Sequence, residues 1–431
     1  SPIILTLTQS TYDGILYNVE NIKEALGSFI ETLHFDEAWL PHAAFHKFYK
    51  NMHAIGSERP RAKNTTIFST QSIHKLLAGI SQASQILVQD SESKKFDHSL
   101  FNEAYLMHSS TSPQYSIIAS LDVAAAMMEP PGGTALVEES IVEALDFRRA
   151  MKKVEMELGS NDWWFKVWGP KIDPDGDGVP SKEQWILQPD EKWHGFGKLK
   201  EGFNMLDPIK ATIVTPGLKM NGEFDQHGIP ASVVTRYLSE HGVIVEKTGL
   251  YSFFVMFTIG ITKGRWNTLL TALQQFKDDY DKNQPMWRVL PEFCSSYQCY
   301  ERVGLRELCQ KLHDVHKKND VAKLTTEMYL SNMEPAMKPS DAFASVARKK
   351  TERVSVDDLE GRITTSLLTP YPPGIPLLVP GERFNKVIVN YLQFAREFNS
   401  MFPGFEADIH GLVVSKDSSG LKKYFVDCIQ V

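Results

Sequence analysis

The chain has 431 residues, 42% hydrophobic and 23% charged, enough for two or three domains with cores of their own. Lys and Arg number 46 against 53 Asp and Glu, and the net charge of −7 argues against non-specific nucleic-acid binding. No apolar run approaches a membrane span, and Ser1-Pro2-Ile3-Ile4-Leu5 lacks the basic region of a secretory signal. The cysteines (Cys294, Cys299, Cys309, Cys428) fit neither a zinc spacing nor a disulfide scaffold, so reduced thiols in a cytoplasm are the simplest account.

Ile3 to Thr8 is predicted as a first strand, Tyr12-Asp13-Gly14 as a turn, and Asn18 to Leu33 as a helix. A strand over Leu33–Phe35 then runs out on Asp36. Past a basic, polar loop from Arg59 to Asn64 comes T-I-F-S-T-Q-S-I-H-K, Thr66 to Lys75. Its β-branched and aromatic start (Thr65, Thr66, Ile67, Phe68) reads as a buried strand. Small polar residues follow, then His74 and Lys75, then a helix from Leu76 to about Ser84. Gln85 to Gln89 is a further strand, and Phe101–His108 and about Tyr115–Met128 are helices. This alternation predicts an α/β fold with a mostly parallel sheet and helices on both faces.

Pro130-Pro131-Gly132-Gly133 breaks the chain, and Thr134 is placed to cap the long helix that follows. That helix carries Val137, Ile141, Leu145, Met151, Val154 and Leu158 at helical spacing, a core stripe. Asp173 to Gly178 imitates the start of a calcium loop, but Gln184 stands at the position that needs glutamate, so a surface loop is the default. His194 alone reads as a hydrogen-bonded structural histidine. Strands are expected at Ala211–Val214, Val243–Glu246 and Tyr251–Ile259, with a helix to about Glu240 and another to about Tyr280. Asn283-Gln284-Pro285 is a second boundary, a mainly helical region follows, and the prolines from Pro370 to Pro380 make a rigid segment. The expected domains are residues 1–129, 130–283 and 284–431, the middle one a small α+β unit.

Lys75 by itself reads first as a solvated loop lysine. Its place just past a strand, among hydroxyls and beside an imidazole, also allows a desolvated amine nucleophile. Asp36 reads equally as a helix N-cap or as an acid at the carboxyl end of a strand, where open α/β sheets bind ligands. Together the two suit pyridoxal 5'-phosphate (PLP), with Lys75 forming the Schiff base and Asp36 pairing with the pyridine nitrogen.

The segments H-F-D-E-A-W, S-T-Q-S-I-H-K-L-L-A-G-I-S-Q-A-S and M-H-S-S-T-S-P-Q-Y resemble the bacterial ornithine/lysine/arginine decarboxylases of PLP fold type I. So do W-H-G-F, L-D-P-I-K, P-Y-P-P-G-I-P-L-L and F-P-G-F-E-A-D-I-H-G, which spread the likeness over essentially the whole chain. The resemblance implies a large PLP domain, a small α+β domain and an α+β C-terminal domain. It implies that Lys75 holds PLP and, with His74, supplies the proton that replaces CO2. Trp39 would pack near the ring and Ser72 would contact the phosphate. Ser110, with Thr111 beside it, would reach a phosphate across a homodimer interface, although the turn by itself reads as a plain cap.

Glu246, in V-I-V-E-K-T-G, is the candidate acceptor for a basic substrate side chain, against a surface ion pair with Lys247. The E-K-T-G-L-Y context is similar to the lysine branch, so lysine decarboxylation to cadaverine comes first and arginine or ornithine second. Relatives carry an N-terminal wing and the first half of the PLP domain, and neither is visible before Ser1. Weak PLP binding, little activity for the chain alone, a companion segment, or a scaffold role are therefore also expectations.

Overall fold

In a computed structural model of the chain, the described residues are 3–56, 61–159, 162–371, 374–416 and 422–430. Residues 1–2, the 59–60 part of the basic loop, and 372–373 of the proline-rich segment lie outside them. The chain divides into two units, Ser1–Ile213 with Phe254–Thr268, and Val214–Phe253 with Leu269–Val431.

In the first unit, β1 (Ile4–Thr8), β2 (Ile15–Tyr17), α1 (Val19–Leu26), β3 (Thr32–Asp36), β4 (Thr66–Gln71), α2 (Ile73–Leu76) and β5 (Gln85–Gln89) follow in order. The main sheet has the order β1-β3-β4-β5. The first three strands are parallel, in register Thr8↔Asp36 and Asp36↔Thr70 at their carboxyl ends, and β5 is antiparallel to β4. Period-two alternation sorts the side chains. Leu33, Phe35 and Ile67 are fully buried with Val19 and Ala54, and Leu5, Leu7, Ile22 and Leu26 pack against them. His34, Asp36, Phe68 and Thr70 face the other way and are half-buried.

Several boundaries differ from expectation. Helix α1 stops at Leu26 rather than Leu33, because Gly27 closes the last turn through its N–H to the Lys23 carbonyl (2.7 Å). The helix expected from Leu76 to Ser84 is instead a single turn, Ile73–Leu76, that contains His74 and Lys75. Leu77 is already extended (ψ −179°), and Gly79 lies so close to Ala83 that a Cβ there would come within 2.8 Å. Crowding and glycine's backbone entropy both oppose a longer helix.

Next come α3 (His98–His108), α4 (Tyr115–Met127) and α5 (Gly132–Leu158). Phe101 of α3 and Phe96 meet Phe68 at ring-centroid distances of 6.2 and 5.7 Å, covering part of the second sheet face. The α5 stripe is buried from Val137 to Val154, whereas Leu158 at its end is 44% exposed. Thr134 is no cap. It lies inside α5 and donates its hydroxyl to the Phe45 carbonyl (2.9 Å). Asp173 and Asp175 lie in a loop, where Asp175 pairs with Lys153 at 3.2 Å. His194 is buried, with Nε2 2.9 Å from the Gln188 carbonyl and Nδ1 accepting from Phe196 N–H. Three more strands, β6 (Lys166–Val167), β7 (Asn204–Leu206) and β8 (Lys210–Val214), complete the ordered part before residue 214. β7 is antiparallel to β2, Ile15↔Leu206.

The second unit holds α6 (Ala231–Glu240) and β9 (Lys247–Thr248), and shares β10 (Ser252–Met256) and α7 (Lys263–Asp281) with the first. Val243–Glu246 is not a strand. Gly242 takes φ +78°, Val243 N–H closes back on the Leu238 carbonyl, and Ile244 is 79% exposed, so the apolar run turns outward instead of joining a ladder. A mainly helical stretch follows. The last core packs helix Lys386–Met401 with the antiparallel strands Thr351–Ser355, Val413–Lys416 and Lys422–Ile429, through Ile388, Leu392, Val354 and Val426.

Candidate active site

Thr8, Asp36 and Thr70 stand side by side at the carboxyl ends of β1, β3 and β4. Adjacent parallel strands are about 4.8 Å apart, so whatever follows β4 starts close to Asp36. The half-buried Asp36 carboxylate accepts the Ala38 N–H through Oδ1 (3.1 Å), an Asx turn that swings the chain round to Trp39. Glu37, one residue on, points to the opposite face. It is fully buried and accepts from Ser69 Oγ (2.6 Å), Gln71 Nε2 (3.0 Å) and Ala54 N–H (2.6 Å). One carboxylate thus ties β3 to β4, while its neighbour stays at the sheet edge.

From the end of β4 the chain enters α2 at once. Ser72 occupies the N-cap position, but its side chain makes no capping bond. Lys75, three residues later, brings Nζ 4.5 Å from the centroid of the Trp39 ring. Such a contact favours an ammonium by about 0.5–2 kcal/mol. Trp39 is held in turn by Tyr12, whose ring lies 5.1 Å away, and Tyr12 meets Phe254 at 5.8 Å. Asp36, Trp39, Ser72, His74 and Lys75 therefore belong to one loop pair at the carboxyl end of β3 and β4.

Ser110 and Thr111 are exposed, in the turn between α3 and α4. Ser110 Oγ accepts from Ser112 N–H at 3.0 Å, so it ties its own turn. Glu246 is exposed in the second unit, just before β9.

A buried polar cluster beside Trp39 includes Asp207 and Lys210 of L-D-P-I-K, to which the sequence reading gave no role. Asp207, just past β7, is fully buried. Its Oδ1 accepts from Tyr49 Oη at 2.8 Å, and its Oδ2 lies 3.5 Å from His42 Nε2 and 3.9 Å from Lys210 Nζ. Burial alone would raise Asp207, but His42, Lys210 and Tyr49 outweigh it and hold the carboxyl below its usual range. Burial raises the Tyr49 phenol, with Asp207 adding to the effect. The Arg148 guanidinium is pushed down to about 9 by burial, against Asp207, and donates to the Trp168 and Lys210 carbonyls at 2.8 and 2.9 Å. The signal available was the Asp207–Lys210 spacing inside the apolar frame of L-D-P-I-K. An acid and a lysine in such a frame are either a surface pair or, as here, a buried one, and only burial distinguishes them.

Residues 1–265 match the family described as Orn/Lys/Arg decarboxylase, major domain, and residues 322–430 match Orn/Lys/Arg decarboxylase, C-terminal domain. The chain belongs to the Orn/Lys/Arg decarboxylase family. Lysine decarboxylase LdcA of Pseudomonas aeruginosa is 49% identical over 431 residues, covering 99% of this chain and 57% of that protein. Lysine decarboxylase of Hafnia alvei is 40% identical over 415 residues, 95% of this chain and 54% of that one. The solved structure of lysine decarboxylase A from Pseudomonas aeruginosa superposes with a TM-score of 0.93 at 49% identity, over 99% of this chain and 57% of that one. This family member thus spans somewhat more than half the length of the relatives it matches. The mixed α/β sheet with a parallel core is the fold expected from the sequence, and the family resemblance read there is correct.

Proposed function

We propose that this chain carries the reactive lysine of a PLP-dependent amino-acid decarboxylase acting on L-lysine, with cadaverine and CO2 as products. The observation that carries the reading is the Lys75 ammonium set against Trp39, one short turn past the strand beside Asp36. The donor set suits the cofactor: a primary amine, a carboxylate at the neighbouring strand end, an indole touching the amine, and a hydroxyl not used in capping. Bound PLP supplies the sink for the electron pair left on Cα when the carboxylate departs.

The protein's own residues do the rest. Lys75 would hold the cofactor through its amine. Asp36 would pair with the pyridine nitrogen, and Trp39 would pack beside the ring. Ser72 would donate to the phosphate. Lys75, aided by His74, returns a proton to Cα, so each turnover consumes one proton. Glu246 accepts the distal substrate ammonium. That the two relatives above are lysine decarboxylases supports lysine over arginine or ornithine.

A homodimer with Ser110 and Thr111 reaching a second active site is part of the same reading. Its support is the apolar surface on α3 and α4, where Leu100, Met107 and Tyr115 are 69%, 76% and 79% exposed and Ile118 and Val123 are also exposed. No helix among the described residues is long and apolar enough to cross a membrane, and we place the enzyme in the cytoplasm. The test is an absorbance spectrum with added PLP. A band near ~420 nm that borohydride removes and Lys75→Ala lacks supports the reading. No such band at saturating PLP, or no cadaverine from lysine even with a complementing N-terminal piece, overturns it.

A further inference from the structure

A second ammonium shares the Trp39 ring. Lys210 Nζ lies 5.9 Å from its centroid, against 4.5 Å for Lys75 Nζ. Unlike Lys75, Lys210 has a side chain with 0% exposure. A lysine is ordinarily a flexible, strongly hydrated charge, and here both freedoms are gone. Its Nζ donates to Ser10 Oγ and, at 3.3 Å, to the Trp39 carbonyl, and it stands 3.9 Å from Asp207 Oδ2. Gly14, at φ +97°, presses its backbone on the alkyl stem, and a Cβ there would come within 2.8 Å of Lys210 Cβ. Asp207 is itself fixed by Tyr49.

Burying an ammonium costs several kcal/mol before its partners repay it. An apolar side chain of the same length would fill the space without that cost. What it could not do is hold the Trp39 main chain and present a positive charge to the ring that Lys75 also faces.

We propose that Lys210 is a positioning residue for the Lys75 amine: it clamps Trp39 through its carbonyl and sets a second positive charge beside Lys75, favouring the neutral, nucleophilic amine. Like charges near a lysine are one established way to activate it. The proposal rests on the reading of Lys75 as the cofactor amine. Other charged or titratable groups on the segments around the pair include Tyr12, Asp13, Asp36, Glu37, His42, Tyr49, His74, Arg148 and Asp207. Burial pushes Lys210 down to about 8, with Asp207 and Asp13 opposing and the Lys75 charge assisting.

The experiment is the pH profile of Lys75 modification by trinitrobenzenesulfonate in the full chain stripped of aldehyde ligands with hydroxylamine. The Lys75 peptide is quantified by mass spectrometry. In Lys210→Met the midpoint should rise by about half a pH unit or more, so that labelling near neutral pH slows about three-fold. Lys210→Arg, which keeps the charge, should stay close to wild type. Should Lys210→Met fail to fold, Lys210→Gln, which removes the same single charge and keeps a polar group, should show the same rise. An unchanged midpoint in either folded variant overturns the proposal, and so does failure of all three variants to fold, which would make Lys210 a folding residue. A wild-type Lys75 that labels like a surface lysine overturns the reading of Lys75 itself. A perturbed wild-type profile that ignores Lys210→Met removes only the role given to Lys210.

Discussion

Two polar regions of the first unit solve opposite problems. Around Trp39, the groups of Lys210, Asp207, Tyr49 and Ser10 are buried and bonded to one another. In the turn from Ser109 to Pro113 the side chains are exposed, and Ser110 binds only its own turn. Buried polar groups need internal partners because water cannot supply them. Exposed hydroxyls need none, so they can be kept for a ligand or a second subunit at little cost to stability. The first region should therefore report on folding and chemistry together, and the second on binding alone.

The sharpest break in that contrast is Lys75→Ala. It should cut lysine decarboxylation on the order of a thousand-fold or more, with the fold intact by circular dichroism. Asp207→Ala comes next, since it takes the nearest carboxylate from the buried Lys210 charge. A loss of about 3 kcal/mol in urea unfolding is expected. The pH dependence sharpens this. Asp207 has a folded pKa below its unfolded one, so its stabilisation is present above the ordinary value near ~3.9 and is lost as pH falls through the lower folded value. Lys210 acts in the same direction at higher pH. Lowered from 10.5 to about 8, it binds fewer protons when folded, so stability rises with pH across that interval. Lys210→Met should flatten the rise in a series of urea midpoints.

Trp39→Ala removes the ring under both ammonium groups. PLP retention, measured by equilibrium dialysis, should weaken about ten-fold. The smallest effect on stability belongs to Ser110→Ala, within about 0.5 kcal/mol of wild type. The same variant should lose PLP several-fold faster if Ser110 reaches a phosphate. An equal loss of stability in Ser110→Ala and Asp207→Ala would erase the distinction between the two regions.

Much of this was readable in the chain order of residues. Alternation marks β4, since Ile67 and Ser69 are buried while Phe68 and Thr70 are half-buried, and the same period sends Asp36 and Glu37 to opposite faces. That Asp36 ends one strand and Lys75 follows another was also legible, because both strands show in the residue types. Element ends were not. Leu26, Leu76 and the non-strand at Val243–Glu246 were misjudged because local propensity there yields to glycine turns and to close packing, as at Gly79.

From residue order alone came the fold class and the family, since local periodicity and motif chemistry are written in neighbouring positions. Only the tertiary structure could bring Lys210 and Asp207 to Trp39, Tyr49 and Ser10. Those groups come from distant parts of the chain, and whether an ion pair is buried depends on what surrounds it rather than on the residues beside it.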